Sequence, residues 1–354
     1  MKSTVYFASL SGKEGDEEIK EKLGTLLDTA GYEKTFTCDE KVLVKLHFGE
    51  KGNLGYIRPK YVKTVVDKIK HKQGKPFLSD TSTLYRGERS DAQKHLMMAN
   101  EHGFNIQTMG CPIIMADGLL GQNQVAVDIP GTHFNKVHIA SDAVCTDSIF
   151  GLAHVTGHLV TGMGGGLKNI GMGLAGRGGK LAQHYNEMPI VNPDICSACG
   201  TCADWCPEDA ITVGETAVID SGTCIGCGEC ISVCPEDALE FEWKEGRKVQ
   251  ERVAEYASGV LKDKKQKAFF INFITHVTRN CDCLAREEKT IIPDIGIAAS
   301  HDIVALDTAC AEIIKQKTGD DPFIKAWPEI DYTIQLKHAQ SLDVGSMDFE
   351  IKEV

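Results

Sequence analysis

Two hydrophobic periods alternate along this chain. Thr4 to Ser9 alternates apolar and polar residues and predicts a first strand. From Glu17 to Ala30 the apolar residues Ile19, Leu23, Leu26 and Leu27 recur at helical spacing, and Gly31 closes the segment. Val42 to His47 reads as a buried strand, and Pro59 opens a helix that runs to about Lys72. Pro76 to Leu78 predicts a short strand and Ser90 to His102 a helix. Val125 to Ile129 and Lys136 to Ile139 predict short strands about a Pro130-Gly131 turn, and Ala143 to Val155 one longer buried strand. The alternation resumes late in the chain. Arg247 to Lys262 predicts a helix, Ala268 to Thr275 and Pro293 to Ala299 strands, Asp302 to Lys317 and Tyr332 to Ser341 helices, and the tail from Met347 a last strand.

Strand and helix in turn imply βαβ units. The expected class is α/β: a two-lobed core of mainly parallel sheets flanked by helices. In such sheets ligands sit beyond the carboxyl ends of the strands. Lys45, His47, Asp80, Thr81 and Ser82 all fall at predicted strand ends and are candidates on that ground.

Between the two α/β portions lies Ile190 to Glu240, with eight cysteines. Cys196, Cys199, Cys202 and Cys206-Pro207 are followed by Cys224, Cys227, Cys230 and Cys234-Pro235. Each half reads C-x-x-C-x-x-C-x-x-x-C-P, and the second repeats the first at an offset of 28 residues. Three thiolates on two-residue spacers wrap one corner of an iron–sulfur cube, and the fourth ligates the other cube. Cys196, Cys199, Cys202 and Cys234 are therefore assigned to one [4Fe–4S] cluster, and Cys224, Cys227, Cys230 and Cys206 to a second. Zinc sites commonly use separated C-x-x-C pairs, and disulfides need an oxidising compartment. The pattern resembles the bacterial two-cluster ferredoxin module. The expected division is 1–187 for the first part of the core, 188–241 for an inserted small α+β ferredoxin domain, and 242–354 for the second part of the core.

Charge and length narrow the partners. Lys and Arg number 38 against 50 Asp and Glu, which leaves −12 and argues against nucleic acid as a partner. No apolar run is long enough to span a membrane. Met1 to Leu10 lacks a signal-peptide pattern, and 14 cysteines without one point to metal in a reducing cytoplasm. A redox partner protein is expected, with acidic residues such as Asp204, Glu208, Glu229 and Glu236 fit to meet a basic patch.

A second stretch, His154 to His184, is rich in glycine and holds His158, Gly164, Gly165, Gly166, Lys168, Asn169 and His184. Such a loop exposes backbone N–H groups and leads into a helix whose N-terminus favours anions. It predicts a site for a small anionic ligand or cofactor, or for a further metal. Cys281-Asp282-Cys283 follows another strand end. Two close thiols supply half of a soft-metal site, a redox pair, or small packed side chains.

The flanking sequence resembles domain-of-unknown-function family 362. The resemblance is carried by Val44 to Glu50, Arg58-Pro59, Thr156-Gly157-His158, Gly165 to Asn169, Asn280 to Cys283, Pro293 to Ile297 and His301 to Asp307. Some relatives of this kind are understood as ferredoxin-like electron donors to partner reductases. The order of His158, Lys168 and His184 is also similar to the lactate racemase family. That likeness implies Lys168 as the tether of a nickel-pincer nucleotide, His184 as a nickel ligand, His158 as an acid/base group and Arg58 on the substrate side. The leading expectation is an iron–sulfur electron-transfer protein. A redox enzyme acting near Lys168 and a nickel-pincer racemase or epimerase are the alternatives.

Overall fold

The computed structural model describes residues 2–84, 87–184, 189–206, 208–224, 230, 234–236, 238–240, 246–283 and 287–354. Eight strands form one sheet in the order Phe349–Glu353, Ser3–Ser9, Gly296–Ser300, Ala268–Ile274, Ser148–His154, Lys41–Lys45, Lys75–Asp80 and Ile113–Met115. Gly296–Ser300 runs against its neighbours and the other pairings are parallel. The α/β class with a mainly parallel, helix-flanked sheet is as expected. Strands from both halves of the chain join the same sheet.

Each strand feeds both faces, because successive side chains point to opposite sides. Phe269, Ile271 and Phe273 pack on one face with Leu23, Leu26 and Leu27 of helix Asp16–Ala30 and Val62, Val65 and Val66 of helix Pro59–His71. Phe270 and Ile274 pack on the other with helices Gly246–Leu261 and Ile303–Thr318. Burial on both faces explains why the central strands read as continuous apolar runs.

Most sequence-predicted elements appear within two residues of their expected ends. Ala143 to Val155 is an exception. It divides into helix Ser141–Cys145 and strand Ser148–His154, because Thr146 turns the chain: its hydroxyl donates to the Lys41 carbonyl at 2.9 Å. The glycine-rich stretch is also more structured than a loop. Thr156–His158 pairs with Gly162–Gly164 as a hairpin, and helices Gly166–Gly171 and Arg177–His184 follow.

Residues 190–240 form their own pairings, Ile190–Val191 with Leu239–Glu240 and Ile211–Val213 with Ala217–Ile219. They lie in the connection between Ser148–His154 and Ala268–Ile274, which are neighbours in the main sheet.

Candidate functional site

Parallel register brings the carboxyl ends of four strands to one place. Lys45 lies level with Ser79 and with Gly151, and His154 with Phe273. The chain leaving these ends encloses a cavity of about 160 Å³. Its lining includes Lys45, His47, Asp80, Thr81, Arg89, His154, Gly164, Gly165, Lys168, Asn169, Lys180, His184, Cys281, Asp282 and Cys283. At about 30 Å³ per water, that volume suits a molecule the size of a small organic acid.

Lys45 is buried and already committed. Its ammonium donates to Asp80 at 2.9 Å, Asn169 Oδ1 at 2.8 Å and the Leu46 carbonyl at 3.1 Å. Burial lowers its pKa, and Asp80 only partly offsets this. Asp80 also faces Arg89 Nη1 at 3.5 Å and His95 Nε2 at 3.6 Å. Burial works against its charge, but Lys45, His95 and Arg89 prevail and hold its carboxyl well below the usual range. Arg89 Nε meets Glu50 at 3.1 Å. This buried network frames one wall.

Lys180 supplies a cation from helix Arg177–His184. It donates to the Thr81 hydroxyl and, at 2.8 Å, to the Ala175 carbonyl. Burial lowers its pKa to about 8. His184, on the same helix, is pushed down to about 4 by burial and by Lys168, so it is neutral near pH 7.

Lys168 stands apart from these ion pairs. Burial works against its charge, but Cys281 and Cys283 outweigh burial and raise its pKa. It is therefore an ammonium, suited to pairing with an anion and unsuited to nucleophilic attack. Its helix is pinned from behind: Gly166 N–H and Leu167 N–H each donate to the buried Asp307 carboxylate at 2.8 Å, which also accepts from Asn272 at 2.7 Å.

That contact corrects the reading of the glycines. The helix N-terminus does favour an anion, but Asp307 supplies it, so Gly166 is not a ligand-binding N–H. Several glycines instead permit close packing. A Cβ on Gly157 would lie 2.2 Å from the Arg279 carbonyl oxygen, and one on Gly171 2.2 Å from that of Val253. Gly164 and Gly165 do line the cavity.

Three other expected residues, Ser82, Arg58 and His158, lie outside the lining; the Ser82 N–H donates to Asp117 at 2.8 Å. Arg58 precedes the proline that starts its helix. Its guanidinium donates to the Leu54 carbonyl at 2.7 Å and lies 5.1 Å over the Tyr56 ring, so the substrate-side role does not fit. His158 Nδ1 accepts from Val160 N–H at 3.2 Å and Thr161 N–H at 3.0 Å. Burial and Lys168 keep its ring neutral, which leaves its proton on Nε2. Cys281 and Cys283 line the cavity with Lys168. His154 Nδ1 meets Asp282 at 2.8 Å, and its Nε2 the Thr275 carbonyl at 2.6 Å. Both ring nitrogens thus face acceptors, as an imidazolium requires.

The sequence reading passed over Arg89 and Lys180. Arg89 sits in a polar loop and Lys180 in a helix after the glycines, and neither has a motif. The one available signal was charge at a strand end: Asp80 needs cations if it is buried.

Away from this cavity, the repeated cysteines keep their internal symmetry. Cys196 N–H donates to the Asn192 carbonyl and Cys224 N–H to that of Asp220. Ala210 N–H donates to Cys206 Sγ and Ala238 N–H to Cys234 Sγ, both at 3.2 Å. Cys196, Cys199, Cys202 and Cys234 line one small cavity. Cys227 lies outside the described residues. Among the described residues no three His, Cys, Asp or Glu side chains are gathered closely enough for a single metal ion. A cube takes one thiolate at each iron, so its sulfurs stand wider apart than the ligands of one ion.

The family model "Domain of unknown function (DUF362)" matches residues 42–312. No curated protein matches the chain. Among solved structures, the lactate racemase apoprotein from Thermoanaerobacterium thermosaccharolyticum aligns at 12% identity with a TM-score of 0.38, over 78% of this chain and 51% of that one. The chain thus spans about half the length of that racemase. No helix among the described residues is long and apolar enough to cross a membrane.

Proposed function

The chain belongs to the DUF362 family, and on that premise we propose that it is an iron–sulfur electron-transfer protein carrying two [4Fe–4S] clusters. The observation that carries this reading is the shared cavity of Cys196, Cys199, Cys202 and Cys234. Three come from one repeat and the last from the other, the cross-pairing that a two-cluster module uses. Four thiols of this grouping suit iron, which takes thiolate ligands in a reducing setting.

When bound, such clusters accept and release single electrons at low potential. The protein's part is to hold and tune them. Cys202 and Cys234 are buried, which excludes water from sulfur. The N–H groups of Ala210 and Ala238 point at Cys206 and Cys234, and such hydrogen bonds favour the more negative, reduced state. Trp205 and Val218 are well exposed in the same segment, beside acidic residues, and offer a docking face for a redox partner with a basic patch.

A second reading has its own support. The core cavity gathers Lys168, Lys180, Arg89, neutral His184 and two thiols at the strand ends. A carrier needs no such site. On this reading the core binds a small anionic molecule, and electrons from the cysteine-rich segment serve its chemistry.

Anaerobic purification with iron and sulfide analysis tests the first reading. About eight of each per chain are expected for two cubes. Zinc in place of iron, with no cluster absorbance, would overturn it.

A further inference from the structure

Cys281 and Cys283 have no partner chemistry so far. Both line the core cavity. His47 Nε2 lies 3.5 Å from Cys283 Sγ. Its other nitrogen, Nδ1, accepts from the Gly49 N–H at 2.9 Å. A neutral ring held that way carries its proton on Nε2, so His47 donates to the sulfur. Asp282, between the two cysteines, is drawn to His154 at 2.8 Å and leaves the two sulfurs to each other.

The two thiols are thus unequal. Cys283 receives a donor from His47, with the Lys168 ammonium in the same cavity. The neighbouring Cys281 thiol, then Lys168 and His47 against burial, hold the Cys283 pKa well below that of an ordinary thiol. The neighbouring Cys283 sulfur and burial push Cys281 well above it. One thiolate beside one protonated thiol is the arrangement that thiol–disulfide exchange needs.

We propose that Cys281 and Cys283 form a two-electron dithiol–disulfide couple acting on small anionic disulfides, with Cys283 as the attacking sulfur and Cys281 as the resolving one. The proposal rests on the reading that the core cavity is a reaction site, and it does not depend on the cluster assignment. In the first step Cys283 thiolate attacks one sulfur of the small disulfide. Its S–S bond breaks, a mixed disulfide forms on Cys283, and one small thiolate leaves. Cys281 then gives up its proton and attacks Cys283 Sγ. The internal disulfide forms and the second small thiolate leaves. The pair has lost two electrons and the small disulfide has gained them. One departing thiolate takes the Cys281 proton and the other a proton from water. Lys168 holds the anionic group of the substrate.

The test uses the anaerobic full-length chain with its native metal content. Dithiodipropionate, an anionic disulfide, and cystamine, a cationic one, are mixed with it, and peptides are mapped by mass. Dithiodipropionate should link Cys281 to Cys283 and release two small thiols per link. Cys281→Ser should stop at a mixed disulfide on Cys283, and Cys283→Ser should leave residue 281 unmodified. Lys168→Gln should slow both probes, because Cys283 loses a charge that favours its thiolate, and should slow dithiodipropionate about tenfold more than cystamine, because only the anionic probe also loses its partner. A mixed disulfide forming first on Cys281, no linked peptide with either probe, or equal slowing of both probes in Lys168→Gln overturns the proposal. Iron and sulfide counts taken in parallel keep the two readings separate: a deficit there with linkage intact sinks only the cluster assignment.

Discussion

His154 Nδ1 and Asp282 Oδ2 meet at 2.8 Å across 128 residues of chain, His154 at the end of strand Ser148–His154 and Asp282 in the segment that follows its parallel neighbour Ala268–Ile274. Both side chains are almost fully buried, at 3% and 6% exposure. The pair ties the turn bearing Cys281 and Cys283 to strand Ser148–His154, so the thiol positions depend on an ion pair outside the chemistry proposed for them. Gly55 leaves the space: a Cβ there would lie 2.4 Å from Asp282 Oδ1.

Asp282→Ala should therefore destabilise the chain by about 3 kcal/mol, the cost of stranding one member of a buried pair. The pH dependence has a definite sign. Burial works against the His154 charge, but Asp282 prevails and raises its pKa above the ordinary 6.5. That stabilisation is complete below about pH 6.5 and is lost as pH rises through the folded value. Burial likewise opposes the Asp282 charge, but His154 lowers its pKa below the ordinary 3.8. Its share is present above about pH 3.8 and is lost as pH falls through the folded value. The gap between wild type and variant should be widest between about pH 4 and 6.5 and narrower at alkaline pH. Denaturant midpoints at several pH values measure it, and a gap that grows toward alkaline pH refutes the pairing.

Gly157→Ala should destabilise by about 1–3 kcal/mol, as overpacking against fixed backbone does. The Cβ would meet the Arg279 carbonyl oxygen at 2.2 Å. The Gly157 N–H also donates to the Thr278 carbonyl at 2.9 Å, so the hairpin and the thiol-bearing segment would have to part. An unchanged melting temperature, with the 275–283 segment as protected as in wild type, counts against this close-packing role.

Periodicity and strand-end position made much of the fold and part of the site legible. Lys45, His47, Asp80, Thr81 and Ser82 were placed at strand ends from sequence, and all but Ser82 line the cavity. Glycine content pointed to Lys168 and His184, which line the cavity, but not to what the glycines themselves do. Glycine records only that a side chain is missing, and close backbone contact leaves the same trace as a ligand-binding loop. Asp307 lies in an apolar helix and Asn272 in an apolar strand, so their pairing behind Gly166 has no local signature. Arg89 and the His154–Asp282 pair depend on contacts between distant parts of the chain, and one sequence does not carry those.

Asp307→Ala should loosen the helix that carries Lys168. It would remove the acceptor of Gly166 N–H, Leu167 N–H and Asn272 Nδ2 at once, each buried. Unmet buried donors cost about 1–3 kcal/mol each, with partial relief by rearrangement, so a loss of roughly 2 kcal/mol or more is expected. Hydrogen exchange at Gly166 and Leu167 should accelerate well beyond the change elsewhere. A uniform change across the chain would mean that Asp307 serves general stability and does not specifically anchor this helix.

Cys234→Ala and Cys199→Ala should damage the same cluster, although Cys234 belongs to the other sequence repeat. Cys199 and Cys234 line one cavity with Cys196 and Cys202, and Cys206 is absent from that lining. Each variant should keep about four of about eight irons, since only one cube loses a ligand. Their residual electron paramagnetic resonance spectra after reduction should match each other. Cys206→Ala should also keep about half the iron, but its spectrum should belong to the opposite cluster. The alternative is pairing within each repeat. It would make Cys206→Ala match Cys199→Ala and leave Cys234→Ala as the odd one out. The exposure difference helps to separate them: Cys199 is exposed, while Cys202 and Cys234 are buried.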